Sequence, residues 1–308
     1  MRASALVFPL LGTDVTVTVD AATASSAQRA VEEVVAELRR WQRLFSVFEP
    51  ESDLRRWREG RLKHPGTELV AVLGLAADWY RRSGGTFHPA AAGLRDAWLA
   101  AEVAGVPPDT ERLRDLASAP LPFEVREGRL TRTGDCSGVD LNAIAKGAAV
   151  DASVIAAVGL ADVTAVLVNA GGDLRRHGPG SVVVDVGDPG DPHDDAPALA
   201  TWELSQGAVA TSSGVRRGFR VGERWYGHVL DPRTGLPIAG TLQATVVAPD
   251  AATADAAATA ALVLPPDDAR DLLLREGLSG FLVTADHSTL RVGWPPLPHA
   301  TGASTTAG

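Results

Sequence analysis

Apolar and polar positions alternate early in the chain. Val15, Val17 and Val19 are interleaved with Thr16 and Thr18, which predicts a half-buried strand over 14–20. The apolar run just ahead of it, 5–11, is broken by Pro9 and is followed by no small-residue cleavage site, so it does not read as a signal segment. Over 25–45 the period lengthens: Val31, Val34, Val35, Leu38, Trp41 and Phe45 recur at helical spacing behind serines suited to capping. A second helix is predicted over about 67–82, with Leu69, Leu73, Ala76 and Tyr80 on one face and Ser83-Gly84-Gly85 as its stop. Gly105, Pro107 and Pro108 mark 103–109 as a surface connection, and Glu127-Gly128 marks 125–131 as a hairpin.

From residue 140 the pattern predicts a helix to about 158, a strand over 164–169, a glycine turn and a strand over 181–186. A loop rich in Asp, Pro and Gly follows over 187–197. Paired strands come next within 219–230 around Gly222-Glu223, then a strand over 241–247, helices at about 254–264 and 267–275, and a last strand pair. No internal repeat is present. Mixed strand order with many hairpins favours an α+β fold over a doubly wound parallel sheet. Low complexity from Pro295 onward predicts a disordered tail over 295–308.

Composition narrows the partners. With 45% hydrophobic and 22% charged residues in 308, the bulk of the chain buries a sizeable core. A net charge of -9 disfavours nucleic acid or an anionic membrane as partner, so an anionic ligand needs a local positive site. Cys136, the single cysteine, cannot form an internal disulfide, and no stretch reaches transmembrane length, which together predict a cytoplasmic protein with no membrane anchor. Lysine and asparagine are rare: Lys63 and Lys146, Asn142 and Asn169. Three of these four fall inside glycine-containing segments, where a compact ammonium or a neutral amide does what arginine or aspartate cannot.

Those segments carry the candidate chemistry. Asp140-Leu-Asn-Ala-Ile-Ala-Lys-Gly147 turns into a helix whose first N–H groups and Lys146 can meet phosphate, though a capped helix with an exposed lysine reads the same way. Val168-Asn-Ala-Gly-Gly-Asp173 lets backbone approach a ligand closely, or simply turns. Ala210-Thr-Ser-Ser-Gly214 offers hydroxyls around a possible anion nest. His228, Asp231 and Arg233 sit in a stretch turned by Pro232 and Gly235; the histidine is a candidate proton acceptor, and the acid can orient it or hold a cation. Asp255 and Thr259, four apart in an alanine-rich helix, place one carboxylate and one hydroxyl on a shared face, a sparse oxygen pair of the kind magnesium completes with water and phosphate oxygens.

Read in order, Gly12-Thr13, Ser46-Val-Phe48 with Ser52 and Leu54, Thr86-Phe-His-Pro89 with Trp98, and the later segments from Asp140 to Thr259 resemble the ApbE-type FAD:protein FMN transferases. The resemblance runs from Gly12 to about Leu264. It implies an α+β, T-fold-related architecture with mixed, largely antiparallel sheets. It also implies one flavin transferase domain over 1–294, built of two intertwined subdomains with an FAD cleft between them. On this resemblance Leu11 and Phe48 pack on FAD, Ala90, Ala91 and Ala92 lie beside it, and Asp140, Lys146 and Val229 complete the nucleotide's contacts. Magnesium is held by the Ala143 carbonyl and the side chains of Asp255 and Thr259, and His228 is the base, supported by Asp231. The sequence departs from the family at His88, where an acid is usual, and in the alanine-rich 90–92.

The implied reaction is transfer of FMN from FAD to a Ser or Thr hydroxyl of an acceptor flavoprotein carrying a Ser/Thr-Gly-Ala-Ser/Thr type segment, with AMP released. Thr301-Gly-Ala-Ser-Thr-Thr306 resembles such a segment, which would make Ser304 a self-acceptor, although a small-residue tail is the plainer reading. Two other activities fit the same scaffold: an FAD pyrophosphatase giving FMN and AMP, and a flavin-binding protein without turnover. A base beside a metal site argues against the last, since storage needs no base.

Overall fold

A computed structural model describes residues 1–191, 193, 196–215 and 217–293. Strands β1 (Arg2–Leu10), β2 (Thr13–Ala21), β5 (Val163–Ala170), β6 (Asp173–His177), β9 (Gly207–Ser213), β12 (Thr241–Ala248), β13 (Ser279–Thr284) and β14 (Thr289–Val292) form one sheet in the order β1-β2-β5-β6-β9-β12-β13-β14. Every pairing within it is antiparallel. The alternation in β2 has the cause its sequence suggests: Val15, Val17 and Val19 are fully buried on one face.

Helices cover that face side by side. Helix α1 (Ala24–Phe45) lies on β1 and β2, α6 (Ala145–Val158) on β5 and β6, α7 (Ala251–Val263) on β9 and β12, and α8 (Pro266–Arg275) on β13 and β14. The α1 cap is Thr23, whose hydroxyl accepts from Ser26 N at 3.1 Å, two residues ahead of the serines that the pattern suggested. The opposite face is covered in part by a separate ribbon of β7 (Val182–Val186) and β8 (Ala200–Leu204), which buries Val186, Ala200 and Leu204 against Phe281, Val283 and Val209.

The remaining elements lie between β2 and α6 in the chain and beside β9. These are α2 (Asp53–Arg58), α3 (Thr67–Arg82), α4 (Ala92–Ala104), α5 (Thr110–Ser118) and two hairpins, β3–β4 (Phe123–Arg126, Arg129–Arg132) and β10–β11 (Gly218–Val221, Arg224–Gly227). A second small core joins α4, α5 and the β10–β11 hairpin through Leu94, Trp98, Leu113, Phe219 and Val221.

The α+β class and antiparallel character match the sequence-based expectation, and several elements differ in detail. Residues 5–11 belong mostly to β1, an edge strand whose partner is β2. The helix expected from 140 starts at Ala145, because 142–144 form a turn. Residues 210–213 are strand β9, so their hydroxyls line a sheet and form no nest. Helix α7 begins at Ala251, three residues early, where Asp250 accepts from Thr253 N at 2.8 Å. The predicted tail and Ser304 lie outside the described residues.

Candidate active site

Antiparallel register brings the glycine turns to one edge of the sheet. The β1–β2 turn at Leu11-Gly12, the β5–β6 turn at Gly171-Gly172 and the end of β9 near Gly214 all open there. Leu11 and Gly12 both have positive φ (54° and 75°), as a two-residue hairpin turn requires. Leucine is strained in that region, and its N–H is fixed by Gln42 Oε1 at 2.7 Å. The neighbouring turn packs against this one: Gly171 N donates to the Asp14 carbonyl at 3.1 Å, and a Cβ on Gly171 would lie 2.2 Å from Thr13 Oγ1. Asn169 closes the same turn by accepting from Gly172 N at 3.0 Å.

Beneath these turns lies a buried charged cluster. Lys146, in the first turn of α6, ion-pairs with Asp173 at the start of β6 and also reaches the Ala170 carbonyl at 3.4 Å. Asp255, one turn into α7, accepts from Gly147 N at 3.3 Å. Both acids are deeply buried, Asp173 at 1% and Asp255 at 5% exposure. Burial pushes the Asp255 carboxyl well above the usual carboxylate range, and the facing Asp173 adds to the rise, against Lys146 and the Gly147 N–H. Asp173 is raised too, first by burial, with Lys146 opposing. The close approach of α6 and α7 is a glycine effect: a Cβ on Gly147 would lie 2.3 Å from the Ala251 carbonyl oxygen. One turn on, Asp151 caps α7 by accepting from Ala251 N and Ala252 N at 2.8 and 2.9 Å.

These residues suit a hard divalent cation. Asp255 supplies a carboxylate whose burial disfavours its bare charge, and Thr259 stands one turn further along α7 with its hydroxyl 3.2 Å from Ser212 Oγ. Ala143 lies in the turn before α6, and the described hydrogen bonds leave its carbonyl without a partner, since Gly147 N turns to Asp255 instead. Among the described residues no group of three or more His, Cys, Asp or Glu side chains that could hold a metal ion converges.

His228 follows β11. Its Nδ1 is 3.1 Å from the Arg217 carbonyl, which only accepts, so Nδ1 carries the proton and Nε2 keeps a free lone pair. Burial holds the ring's pKa below its usual value, and the charges of Arg217 and Arg95 act in the same direction against the carbonyl bond. Asp231 is engaged elsewhere: it accepts from Arg233 N at 2.9 Å and ion-pairs with the Arg233 guanidinium at 2.9 Å. The ring is therefore oriented by a backbone carbonyl, and Asp231 shapes the turn that follows. Trp98 Nε1 donates to the Gly235 carbonyl at 2.8 Å, which ties that turn to α4. Val229 packs 3.7 Å from a Cβ position on Gly214, two residues beyond Ser212, so the His228 segment and Thr259 meet the same end of β9.

Phe48 is 83% exposed, yet its backbone is fixed, with Phe48 N and Glu49 N donating to Ser46 Oγ and Arg55 donating to the Phe48 carbonyl. An exposed ring on a rigid turn is a ready surface for a planar ligand. Ala90, Ala91 and Ala92 run beside 138–140 through Asp140 N to the Pro89 carbonyl at 2.8 Å and Ala92 N to the Gly138 carbonyl at 3.3 Å. His88 Nδ1 accepts from Ala90 N at 3.1 Å, so this histidine holds the alanine segment in place. Asp140 accepts from Asn142 N at 2.8 Å and shapes the turn before α6.

Asp151 is a polar residue that sequence reasoning did not single out, while Asp173 and Ser212 lay inside the segments named above without a role of their own. Asp173 ends the Asn169-Ala-Gly-Gly motif, but its burial against Asp255 depends on residues 82 positions away, which no local pattern reports. Two hollows lie off the cluster, one along α1 at Arg29 and Glu33, the other between the end of α3 and the Pro232-Arg233 turn. The second borders the His88 wall; neither contains the buried acids.

A sequence model described as the ApbE family matches residues 11–282. An FAD:protein FMN transferase of Rhodobacter capsulatus is 30% identical over 235 residues, 72% of this chain and 43% of that protein. The enzyme of the same name from Escherichia coli K12 is 30% identical over 168 residues, 51% of this chain and 46% of its own length. The chain thus spans under half the length of these curated relatives. Among solved structures, an ApbE protein of Thermotoga maritima superposes with a TM-score of 0.82 at 26% identity, covering 95% of this chain and 97% of that one. The apo flavinyl transferase ApbE of Pseudomonas stutzeri, at 22% identity, TM-score 0.76 and 95% coverage of each chain, shares the fold.

Proposed function

This chain belongs to the ApbE family, and on that footing we propose that it is a magnesium-dependent flavin transferase moving FMN from FAD to a Ser or Thr hydroxyl of an acceptor protein. Relatives named FAD:protein FMN transferase support the activity. The observation that carries it in this chain is a buried carboxylate, Asp255, bonded to the first turn of α6 beside the Lys146–Asp173 ion pair, under glycine turns that leave backbone open to a ligand.

In this reading FAD lies in a cleft between two intertwined parts of one domain over 1–294. Phe48 and Leu11 contact it on one side, Ala90 to Ala92 on another, and Asp140, Lys146 and Val229 complete the contacts. Asp255, Thr259 and the Ala143 carbonyl hold magnesium, which when bound supplies Lewis-acid stabilisation of charge on the diphosphate oxygens. The acceptor hydroxyl attacks the FMN-side phosphorus, forming the new P–O bond as the bond to AMP breaks. His228 Nε2 takes the hydroxyl proton, and its neutral, Nδ1-protonated state suits that task. Asp231 supports this by fixing the turn behind His228 with Arg233. The acceptor carries a Ser/Thr-Gly-Ala-Ser/Thr type segment and is cytoplasmic, in keeping with a chain whose single cysteine, Cys136, is buried.

Incubation with FAD, magnesium and a peptide carrying such a segment tests the proposal. Peptide gaining the mass of FMN, with AMP released in equal amount, is the expected result. FMN and AMP free in solution would make the protein a pyrophosphatase, and unchanged FAD beside an active relative would leave it a binder; either outcome overturns the transferase reading.

A further inference from the structure

Asp173 has no part in the reaction as derived, although it is the most buried acid of the site. It faces Asp255 across the junction of α6, α7 and β6, so two carboxylates share one pocket with a single ammonium, that of Lys146. Such a pair is costly unless a cation compensates it. Lys146 ion-pairs with Asp173, whereas Asp255 has no ammonium of its own, accepting from Gly147 N at 3.3 Å and sharing a side-chain hydrogen bond with Asp173. The acid that would grip a divalent ion is thus the one without its own counter-charge.

We infer that Lys146 is a resident counter-ion that stands in for the divalent cation, and that Asp173 holds it there until cation and diphosphate arrive together. Lys146 retains a half-buried path outward, since its side chain is 26% exposed against 2% for Asp173 and lies below the Gly171-Gly172 turn. A bare divalent ion entering this cluster meets the like charge of Lys146 within a few ångströms. When the ion arrives with a diphosphate, the ammonium acquires an anionic partner above the turn and the repulsion is relieved. Asp173 is therefore a positioning residue that couples cation binding to nucleotide binding. The inference rests on reading Asp255 as a cation ligand.

Charge arithmetic orders the variants. Lys146→Met makes the cluster one charge more negative, Asp173→Asn one charge more positive, and the double variant restores the original balance. Binding of Mn²⁺ to the full-length protein, followed by the electron paramagnetic resonance signal of the free ion, is measured with and without ADP as a diphosphate probe. Without ADP, K146M binds Mn²⁺ at least about tenfold tighter than wild type, D173N at least about tenfold weaker, and D173N/K146M within about threefold of wild type, from the size of a unit charge at such range. ADP tightens Mn²⁺ binding strongly in wild type and much less in K146M. Should K146M not fold, D173N/K146M must still bind at least about tenfold tighter than D173N. Equal affinities across the series, in a wild-type protein that binds Mn²⁺, would overturn the counter-ion role. A wild type that binds no Mn²⁺ even with ADP would instead remove the metal reading on which it rests.

Discussion

Replacing Gly147 by alanine separates two opposed expectations. In a solvated helix interior Gly→Ala stabilises by about 1 kcal/mol, because alanine loses less backbone entropy and is the better helix former. In α6 the added Cβ would fall 2.3 Å from the Ala251 carbonyl oxygen, 2.6 Å from its carbon and 2.8 Å from Ala252 Cα. All three are backbone atoms of α7, so none can rotate away. Ordinary contact needs roughly 1 Å more, and overpacking of this kind costs about 1–3 kcal/mol. The steric term therefore outweighs the propensity gain. Parting the helices also lengthens the 3.3 Å bond from Gly147 N to Asp255 and strains the Asp151 cap on α7. Gly74 in α3 is the control, since a Cβ there would meet Val125 Cγ1 at 3.5 Å, an ordinary contact. Urea melts should show Gly74→Ala at or above wild-type stability and Gly147→Ala lower by about 1–2 kcal/mol. The latter should also lose most of its magnesium-dependent FAD affinity. A Gly147→Ala protein as stable as wild type, with the same magnesium response, would refute the tight α6–α7 junction.

Three further variants probe other parts of the site. His228→Ala should keep FAD binding while its transfer rate drops by about 10²- to 10⁴-fold, and normal turnover would remove the residue from the chemistry. In wild type the basic form of His228 persists above its depressed pKa, so the rate should be level near pH 7 and fall only as pH drops through a midpoint below the ordinary 6.5; a midpoint above 6.5 contradicts the buried, neutral ring. Asp255→Asn removes a buried like charge, so the magnesium-free protein should melt at or above the wild-type temperature while magnesium no longer raises FAD affinity; an unchanged magnesium effect in FAD titrations would exclude this carboxylate as ligand. Trp98→Phe leaves the Gly235 carbonyl without its 2.8 Å donor, which should cost about 1–3 kcal/mol and slow transfer more than it weakens FAD binding, a split visible in separate melts and kinetics.

Where one face of an element is buried and the other wet, the sequence was sufficient. Val15, Val17 and Val19 marked β2, and the stripe from Val31 to Phe45 marked α1, because burial there follows the local period. Helix α7 is buried nearly all round, so it has no polar face to set a phase, and its start was misplaced. Helix α4 opens at Ala91 with no side-chain cap, and the Pro89-Ala-Ala-Ala-Gly93 stretch gives no start signal. The hydroxyls of β9 resemble a loop because their partners, Thr245 on β12 and Thr259 on α7, come from distant segments. The same limit applies to the site. Lys146, Asp255 and His228 stood out by residue type and motif, whereas the burial of Asp173 and the carbonyl that orients His228 arise only when β6, α6, α7 and the 217 loop come together.

The proposed transfer requires a divalent ion at Asp255 and Thr259 that meets the diphosphate of FAD beside His228. Crystals of the protein soaked with FAD and Mn²⁺ allow that ion to be located by anomalous scattering. One peak is predicted at coordination distance, about 2.0–2.3 Å, from an Asp255 carboxylate oxygen, from Thr259 Oγ1 and from a phosphate oxygen of FAD. FAD bound with its diphosphate away from these residues, or a manganese peak that touches neither Asp255 nor Thr259, would contradict it.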